Sequence, residues 1–430
     1  MRGVRGGVGG NAAGWGSDDT RGCDREIRDG GGGREARCGR HGARMSGRAA
    51  FVHDAALEAY GFGGDHPFNP IRVRMTVELG ESLGLFEGYP FVESALAADE
   101  DLTTVHYPSY VRRVREASRG EGDPAELIRY GLGTPDNPIF EGIHEACAHV
   151  VGAVTGACQL VMNGEAEHAM CVTGGLHHAM RSQASGFCIY SDVGVAIARL
   201  KEEYPGIKVA YVDTDVHHGD GVQWIFYDDP DVLTISMHES GRYLFPGTGG
   251  VKAKGQGRGV GYSVNLPLEP FTQDDSFIEC FEAVVPEALR AFEPDLIFSQ
   301  NGCDAHYLDP LAHLSVTTRV YEHIPKRVHE LAHELCGGRW VAVGGGGYDI
   351  WRVVPRAWTA LWAVVSHQEL PDEMPEEWLK KWGEKSPVKL PPRTCDRADD
   401  YPLAGRAPQI AERNRRTTEE LREKVLPLIR

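Results

Sequence analysis

The chain has 430 residues, 41% of them hydrophobic and 25% charged, and a formal net charge of −17. That is globular composition, with length enough for one large core. Such acidity argues against direct nucleic-acid binding, because phosphate backbones demand Lys and Arg. It suits a cationic partner such as a lysine-rich tail or a polyamine, and serves plain solubility equally well. None of the ten cysteines forms a C-x-x-C pair and most lie in apolar stretches, as free thiols of a reducing compartment do. No apolar run approaches the ~18 residues of a membrane span, and the basic, Gly-rich start lacks the apolar segment of a signal peptide. A cytoplasmic protein without membrane association is expected.

Residues 1–48 differ from the rest. They hold 15 Gly and 10 Arg with almost no aliphatic side chains, and six acids leave them at +4 against −21 for the remainder. Such a segment cannot bury enough apolar surface to offset its ordering entropy, and reads as a disordered tail. A start-site artefact is the other reading, since Met45 opens a sensible sequence just before the strand-like run Ala49 to His53. From there strands and helices alternate to about residue 366. Ala169 to Thr173, Val209 to Asp213, Val232 to His238, Leu296 to Gln300 and Trp340 to Val343 are short apolar runs that read as buried parallel strands. Between them, His144 to Met162, Val193 to Tyr204, Asp274 to Phe292 and Tyr321 to Leu335 carry helical patterning. The expectation is a single large α/β domain over residues 49–366, its central, mostly parallel sheet covered by helices on both faces. Residues 367–430 read as a charged extension with short helices at Glu376 to Trp382 and Thr417 to Leu428.

Unusual polar residues follow the strand runs, where open α/β sheets bind ligands. After Val209 to Asp213 come Thr214-Asp215-Val216-His217-His218-Gly219-Asp220. In extended backbone alternate side chains point the same way, so Asp215 and His217 can reach one cation together. Asp304 follows the run Leu296 to Gln300 and would supply a third ligand from the same rim. Oxygen and nitrogen donors suit zinc, and three protein ligands leave a position for water and substrate. An isolated D-x-H more often caps a loop or helix; the company of Asp304 and further histidines favours the metal.

His177 and His178 lie in Gly174-Gly175-Leu176-His177-His178-Ala179, after the first of these runs. Imidazoles beside a metal can serve as general base and electrostatic partner, and Asp213 and Asp220 remain to fix their tautomers. Alone, a His-His pair is more often a surface feature. The last run leads into Gly344-Gly345-Gly346-Gly347-Tyr348. Its glycines permit close backbone approach, and the Tyr hydroxyl could donate to an oxyanion. An anion-binding turn, or a loop with a packed Tyr, fits that segment as well.

Taken in order, these segments resemble the histone deacetylase family over roughly Ala49 to Trp358. His66-Pro67-Phe68-Asn69-Pro70, Tyr130-Gly131-Leu132-Gly133, Ser185-Gly186-Phe187-Cys188 and Phe245-Pro246-Gly247-Thr248-Gly249 join those already quoted. The resemblance implies an arginase/deacetylase-like fold and zinc-dependent hydrolysis of N-acetyl-lysine amides on a protein or peptide. It implies Asp215, His217 and Asp304 as zinc ligands, and His178 backed by Asp220 as general base. It gives His177, backed by Asp213, as electrostatic partner, and Tyr348 as donor to the polarised carbonyl. Gly186, Phe187, Phe245 and Leu311 resemble the walls of a tunnel for a lysine stem, Arg72 the arginine of an acetate exit, and Asp123 a rim carboxylate holding substrate backbone. Potassium is also implied, at Asp213, Asp215, His217, Ser236 and Met237, with an outer site at Phe226, Asp229, Val232 and Tyr262.

Departures from the pattern refine this. Leu176 stands where the nuclear enzymes carry Trp, and His306 and Tyr307 follow Asp304 where they have smaller residues. With Asn137-Pro138-Ile139-Phe140, these features resemble the bacterial acetoin-utilisation branch, whose substrate is an acetylated lysine of a metabolic enzyme. Arginase-type enzymes share the architecture but bind two manganese ions through extra carboxylates, and Gly219 and His306 stand where two of those would be. The competing readings are acetylpolyamine hydrolysis and a catalytically silent acetyl-lysine binder.

Overall fold

The computed structural model describes residues 49–397 and 405–430; the Gly/Arg-rich segment 1–48 lies outside them. Eight strands form one parallel sheet: β1 (Ala49–Val52), β2 (Phe91–Val92), β3 (His168–Cys171), β4 (Val209–Asp213), β5 (Val232–Glu239), β6 (Ser263–Leu268), β7 (Leu296–Gln300) and β8 (Trp340–Val343). Their order is β2-β1-β3-β8-β7-β4-β5-β6. The expected strands at β4, β7 and β8 have the expected bounds, because each is a continuous apolar run buried on both faces. β6 was not foreseen. It carries Pro267, which a central strand would not tolerate, and it lies at the sheet's edge.

Alternation along the strands divides the interior into two cores. Ala210 and Val212 of β4 face one, with Phe281, Val328 and Trp362 from the helices Asp274–Phe292, Thr318–Cys336 and Val354–Val365. Val209 and Tyr211 face the other, with Val150, Val154 and Ile197 from the helices Ile143–Met162 and Asp192–Glu203. The helix expected at His144 to Met162 spans Ile143–Met162, and against the expectation that no run approaches a membrane span it is the one described helix long and apolar enough to cross a membrane by length and composition. Its apolarity has a local cause: it is packed on the sheet and buried along most of its length.

The described residues after 366, read above as a charged extension, pack into the protein. Trp378 and Trp382 of the helix Glu376–Gly383 bury against Met75 and Leu79 of the helix Ile71–Ser82. Their indole N–H groups donate to the Met75 carbonyl and the Glu78 carboxylate, at 3.1 Å each. The helix Ala407–Lys424 covers the β6 edge, and Leu421, Val425, Leu426 and Ile429 join the first core. Buried Asn414 pins this helix by accepting from the Glu269 amide at 3.0 Å and donating to Thr272 and Ser276. Trp378→Ala is therefore expected to destabilise the protein by about 3–5 kcal/mol, the usual cost of emptying a buried aromatic site. Equilibrium urea unfolding checks this; a loss under about 1 kcal/mol would mean that the helix is not part of the cooperative core.

Candidate active site

β3, β8, β7 and β4 are neighbours, so the segments leaving their carboxyl ends meet above one edge of the sheet. Asp215 and His217 follow β4, Asp304 follows β7, and one donor atom from each lies within 4.8 Å of the others. His217 Nδ1 stands 3.2 Å from Asp215 Oδ1 and 3.0 Å from Asp304 Oδ2. All three side chains are buried. Asp215 Oδ2 accepts from Gln300 Nε2 and from the Gly346 amide, both at 2.7 Å, and Asp304 Oδ1 accepts from the Val216 amide at 2.9 Å. The remaining oxygens face one another across the imidazole nitrogen.

Two desolvated carboxylates converging in this way call for a cation. Burial and the charge of Asp215 push the Asp304 carboxyl up to about 6, the mark of two acids sharing one position. The O, N, O donor set fits a divalent metal with room for further ligands. Backbone closes tightly around the cluster: a Cβ on Gly346 would collide with Asp304, and one on Gly302 with Asp215. A second metal of the arginase kind would lack a ligand at Gly219, where a side chain would run into the Asp213 carboxylate.

The histidine pair sits beside this cluster. His177 Nδ1 is 2.8 Å from Asp213 Oδ2, and His178 Nδ1 is 2.6 Å from Asp220 Oδ1. Their Nε2 atoms are thereby left for other work. Burial opposes a charge on His177, but Asp213 and Asp215 outweigh it and raise the ring to about 9. Burial, reinforced by the neighbouring His177, presses His178 down to about 4 despite Asp220. The two environments push the adjacent imidazoles in opposite directions, and the one pressed down, His178, is suited to accept a proton.

Aromatic rings flank these groups. Phe245 meets the His178 ring edge-to-face at 5.0 Å between centroids, and Phe187 meets Tyr348 at 5.7 Å. Gly186, with φ +52, has no room for a Cβ between His178 and Phe245. Tyr348 lies 6.4 Å from His217 by ring centroids. Arg72 is buried behind it, donating to the Gly347 carbonyl at 3.0 Å and stacking over Phe68 and Trp358. Leu311 is half-buried; its amide donates to Asp309. Asp123 is not among the gathered residues. It is exposed and caps the short helix Pro124–Leu127, although the following loop is tied near Gly186 by the bond from the Ala184 amide to the Tyr130 carbonyl, 2.9 Å.

The potassium residues fall into two places. Asp213 and Ser236 are register partners on β4 and β5, and Met237 follows Ser236. In the outer set, Lys201 occupies the Asp229 carboxylate at 2.8 Å, while the Phe226 and Tyr262 carbonyls accept from the Asp229 and Thr234 amides. Val232 opens β5 beside them. Cys303, adjacent to Asp304, is fully buried with its thiol pushed well up by burial, so it packs rather than attacks. His306 bonds Asp396 at 2.8 Å, and Asp396 also pairs with Arg356 at 2.8 Å, tying the C-terminal segment beneath the site.

Several supporting residues escaped the sequence reading. Asp192 accepts from the Gly175 and Leu176 amides at 2.7 and 2.8 Å, holding the loop that carries the histidines. Tyr211 donates to Asp213 at 2.8 Å. Asp309 accepts from the Tyr348 amide at 2.7 Å and from Leu311 at 2.9 Å, and burial with the nearby Asp304 charge raises it to about 8. Asp309→Ala is expected to lower kcat by up to ~10²-fold through misplacement of Tyr348, with metal content unchanged. Turnover within twofold of the parent would show that the Tyr is held by other contacts.

The sequence pattern of the histone deacetylase domain matches residues 66–365. The acetoin utilization protein AcuC of Bacillus subtilis (strain 168) is 49% identical over 369 residues, covering 86% of this chain and 95% of that protein. AcuC of Staphylococcus xylosus is 37% identical over 380 residues, covering 88% and 98%. Among solved structures, a histone deacetylase homologue from Aquifex aeolicus superposes with a TM-score of 0.76 at 26% identity, covering 85% of this chain and 99% of that one. A parallel α/β sheet with a buried Asp-His-Asp cluster at its carboxyl edge is the architecture of the arginase/deacetylase hydrolases. Within that class, the chain belongs to the histone deacetylase family.

Proposed function

We propose that this chain hydrolyses the acetamide of N-acetyl-lysine side chains on a protein, using one zinc ion held by Asp215, His217 and Asp304. The observation that carries the reading is the gathering of this cluster with two His-Asp pairs, Phe245 lying against His178 and Phe187 against Tyr348. An aliphatic stem fits between two phenyl rings, since apolar burial there is favourable. Bound zinc supplies Lewis acidity toward the amide oxygen and the attacking water. His178, held by Asp220, takes the proton of the water. Tyr348 donates to the oxygen that gains charge, and His177, held by Asp213, stands beside the reacting groups as electrostatic partner. His178 then returns its proton to the amine nitrogen, so acetate and free lysine leave without an acyl-enzyme. A potassium ion beside Asp213 and Ser236 belongs to the same reading.

The relatives named for acetoin utilisation support a substrate among the enzymes of that metabolism. The test compares kcat/KM on an acetyl-lysine peptide with that on N-acetylputrescine. Preference for the peptide is expected; preference for the diamine would replace protein deacetylation by polyamine hydrolysis. Tyr348→Phe should retain fold and metal but lose ~10²–10³-fold in kcat on the peptide, the usual worth of one oxyanion donor. A variant within twofold of the parent would remove Tyr348 from the mechanism.

A further inference from the structure

At the opposite edge of the sheet, four histidines come together. His168 is the first residue of β3, whose other end leads to the catalytic pair. His329 and His333 lie one turn apart on the helix Thr318–Cys336, a spacing that puts both on one face. His367 follows the helix Val354–Val365. Ring centroids of His168 lie 4.8 Å from His329, 5.1 Å from His333 and 5.1 Å from His367. One ring nitrogen from each of the four lies within 4.8 Å of the others.

Two features separate this group from ordinary packing. His168 is completely buried, yet neither of its ring nitrogens has a hydrogen-bond partner. The Gly338 backbone is near enough to favour a proton on the ring but falls outside hydrogen-bond geometry. An unsatisfied buried polar atom costs about 1–3 kcal/mol, so an imidazole held this way is a poor substitute for an apolar side chain. The second feature is spacing. His329 Nε2 and His333 Nε2 are 3.1 Å apart. A tetrahedral zinc, ~2.0–2.1 Å from each nitrogen, sets its ligands about 3.3–3.4 Å apart. Shifts on the order of 1 Å, available to the exposed His333 and His367, would gather the rest.

We propose that His168, His329, His333 and His367 form a second metal site, an all-imidazole cage for a borderline divalent transition-metal ion. Neutral nitrogen donors without carboxylates select zinc, copper or nickel over magnesium or calcium. Burial and the neighbouring histidines hold His168 down at about 3; burial and His367 hold His329 at about 4. Both are therefore in the ligating form at neutral pH. Four protein ligands complete a tetrahedral shell, so the site has no open position for catalysis. Its work is structural: it ties the start of β3 to two helices packed on the same side of the sheet, and bound metal stabilises the folded state by linkage.

The experiment counts metal. Purified chain is stripped with chelator, re-equilibrated with zinc, dialysed and analysed by mass spectrometry. Two zinc ions per chain are expected, falling to one in Asp215→Ala, to one in the double variant His329→Ala/His333→Ala, and to none in the triple combination. The double variant should keep its deacetylase activity, and zinc should raise the melting temperature of Asp215→Ala but not of the triple variant. Cobalt bound to Asp215→Ala should show the absorption of a four-nitrogen site. His367→Ala, a change at an exposed position, is the second variant should the double one fold poorly, and should hold its second zinc more weakly. Zinc content equal to the parent's in the double variant and in His367→Ala would overturn the proposal, as would an Asp215→Ala chain that takes up no zinc. Loss of an ion from the histidine variants but not from Asp215→Ala would leave this site standing and move the catalytic one.

Discussion

Asp215→Ala and His217→Ala are each expected to reduce deacetylation to background and to remove the catalytic metal ion. Every step of the proposed reaction depends on the cation held by three buried donors within 4.8 Å of one another. Deleting one of three ligands leaves two, too few for a stable catalytic site. The loss has a second part at Asp215. Its carboxylate accepts from Gln300 and from the Gly346 amide, and removing it strands two buried donors at about 1–3 kcal/mol each. Asp215→Ala should therefore be less stable as well as inactive, whereas His217→Ala, which strands no such pair, should lose the metal with a smaller fall in melting temperature. Zinc analysis and turnover of an acetyl-lysine peptide, measured on the same preparations, check this. Parental zinc content in both variants would place the metal elsewhere.

His178→Ala should be the second most damaging change, at ~10²–10⁴-fold in kcat, because one group both accepts and returns the proton. His177→Ala should cost less. It removes the ring bonded to Asp213 at 2.8 Å but leaves the His178–Asp220 pair at 2.6 Å in place, and Tyr211 still donates to Asp213. Zinc should remain in both variants. The acid limb of the pH–rate profile should vanish in His178→Ala and persist, displaced, in His177→Ala. A larger loss from His177→Ala with zinc retained would exchange the two roles.

Legibility followed how local each signal is. β4, β7 and β8 could be read because each is an apolar run ending in a polar segment, and those segments carry Asp215, His217, Asp304 and Tyr348. The helix Ile71–Ser82 was missed; it mixes β-branched residues with Arg72, whose burial depends on Phe68, Trp358 and the Gly347 carbonyl, remote in sequence. Only the second half of Ala407–Lys424 was foreseen, because the anchor of the first half is Asn414, polar and unremarkable until Glu269, Thr272 and Ser276 surround it. Asp192 and Asp309 escaped for the same reason: each acts by accepting amides from a loop elsewhere in the chain. His329 and His333 went unremarked despite their spacing of four on one helix, because nothing in the sequence brings His168 and His367 to them.

The most direct test of the account measures acetate released from an acetyl-lysine peptide by the His329→Ala/His333→Ala chain, which keeps the catalytic centre as its one proposed zinc site. Activity should disappear when chelator removes the metal and return as one equivalent of zinc is added back, levelling off there. Undiminished acetate release from the metal-free chain would contradict zinc-dependent deacetylation at Asp215, His217 and Asp304.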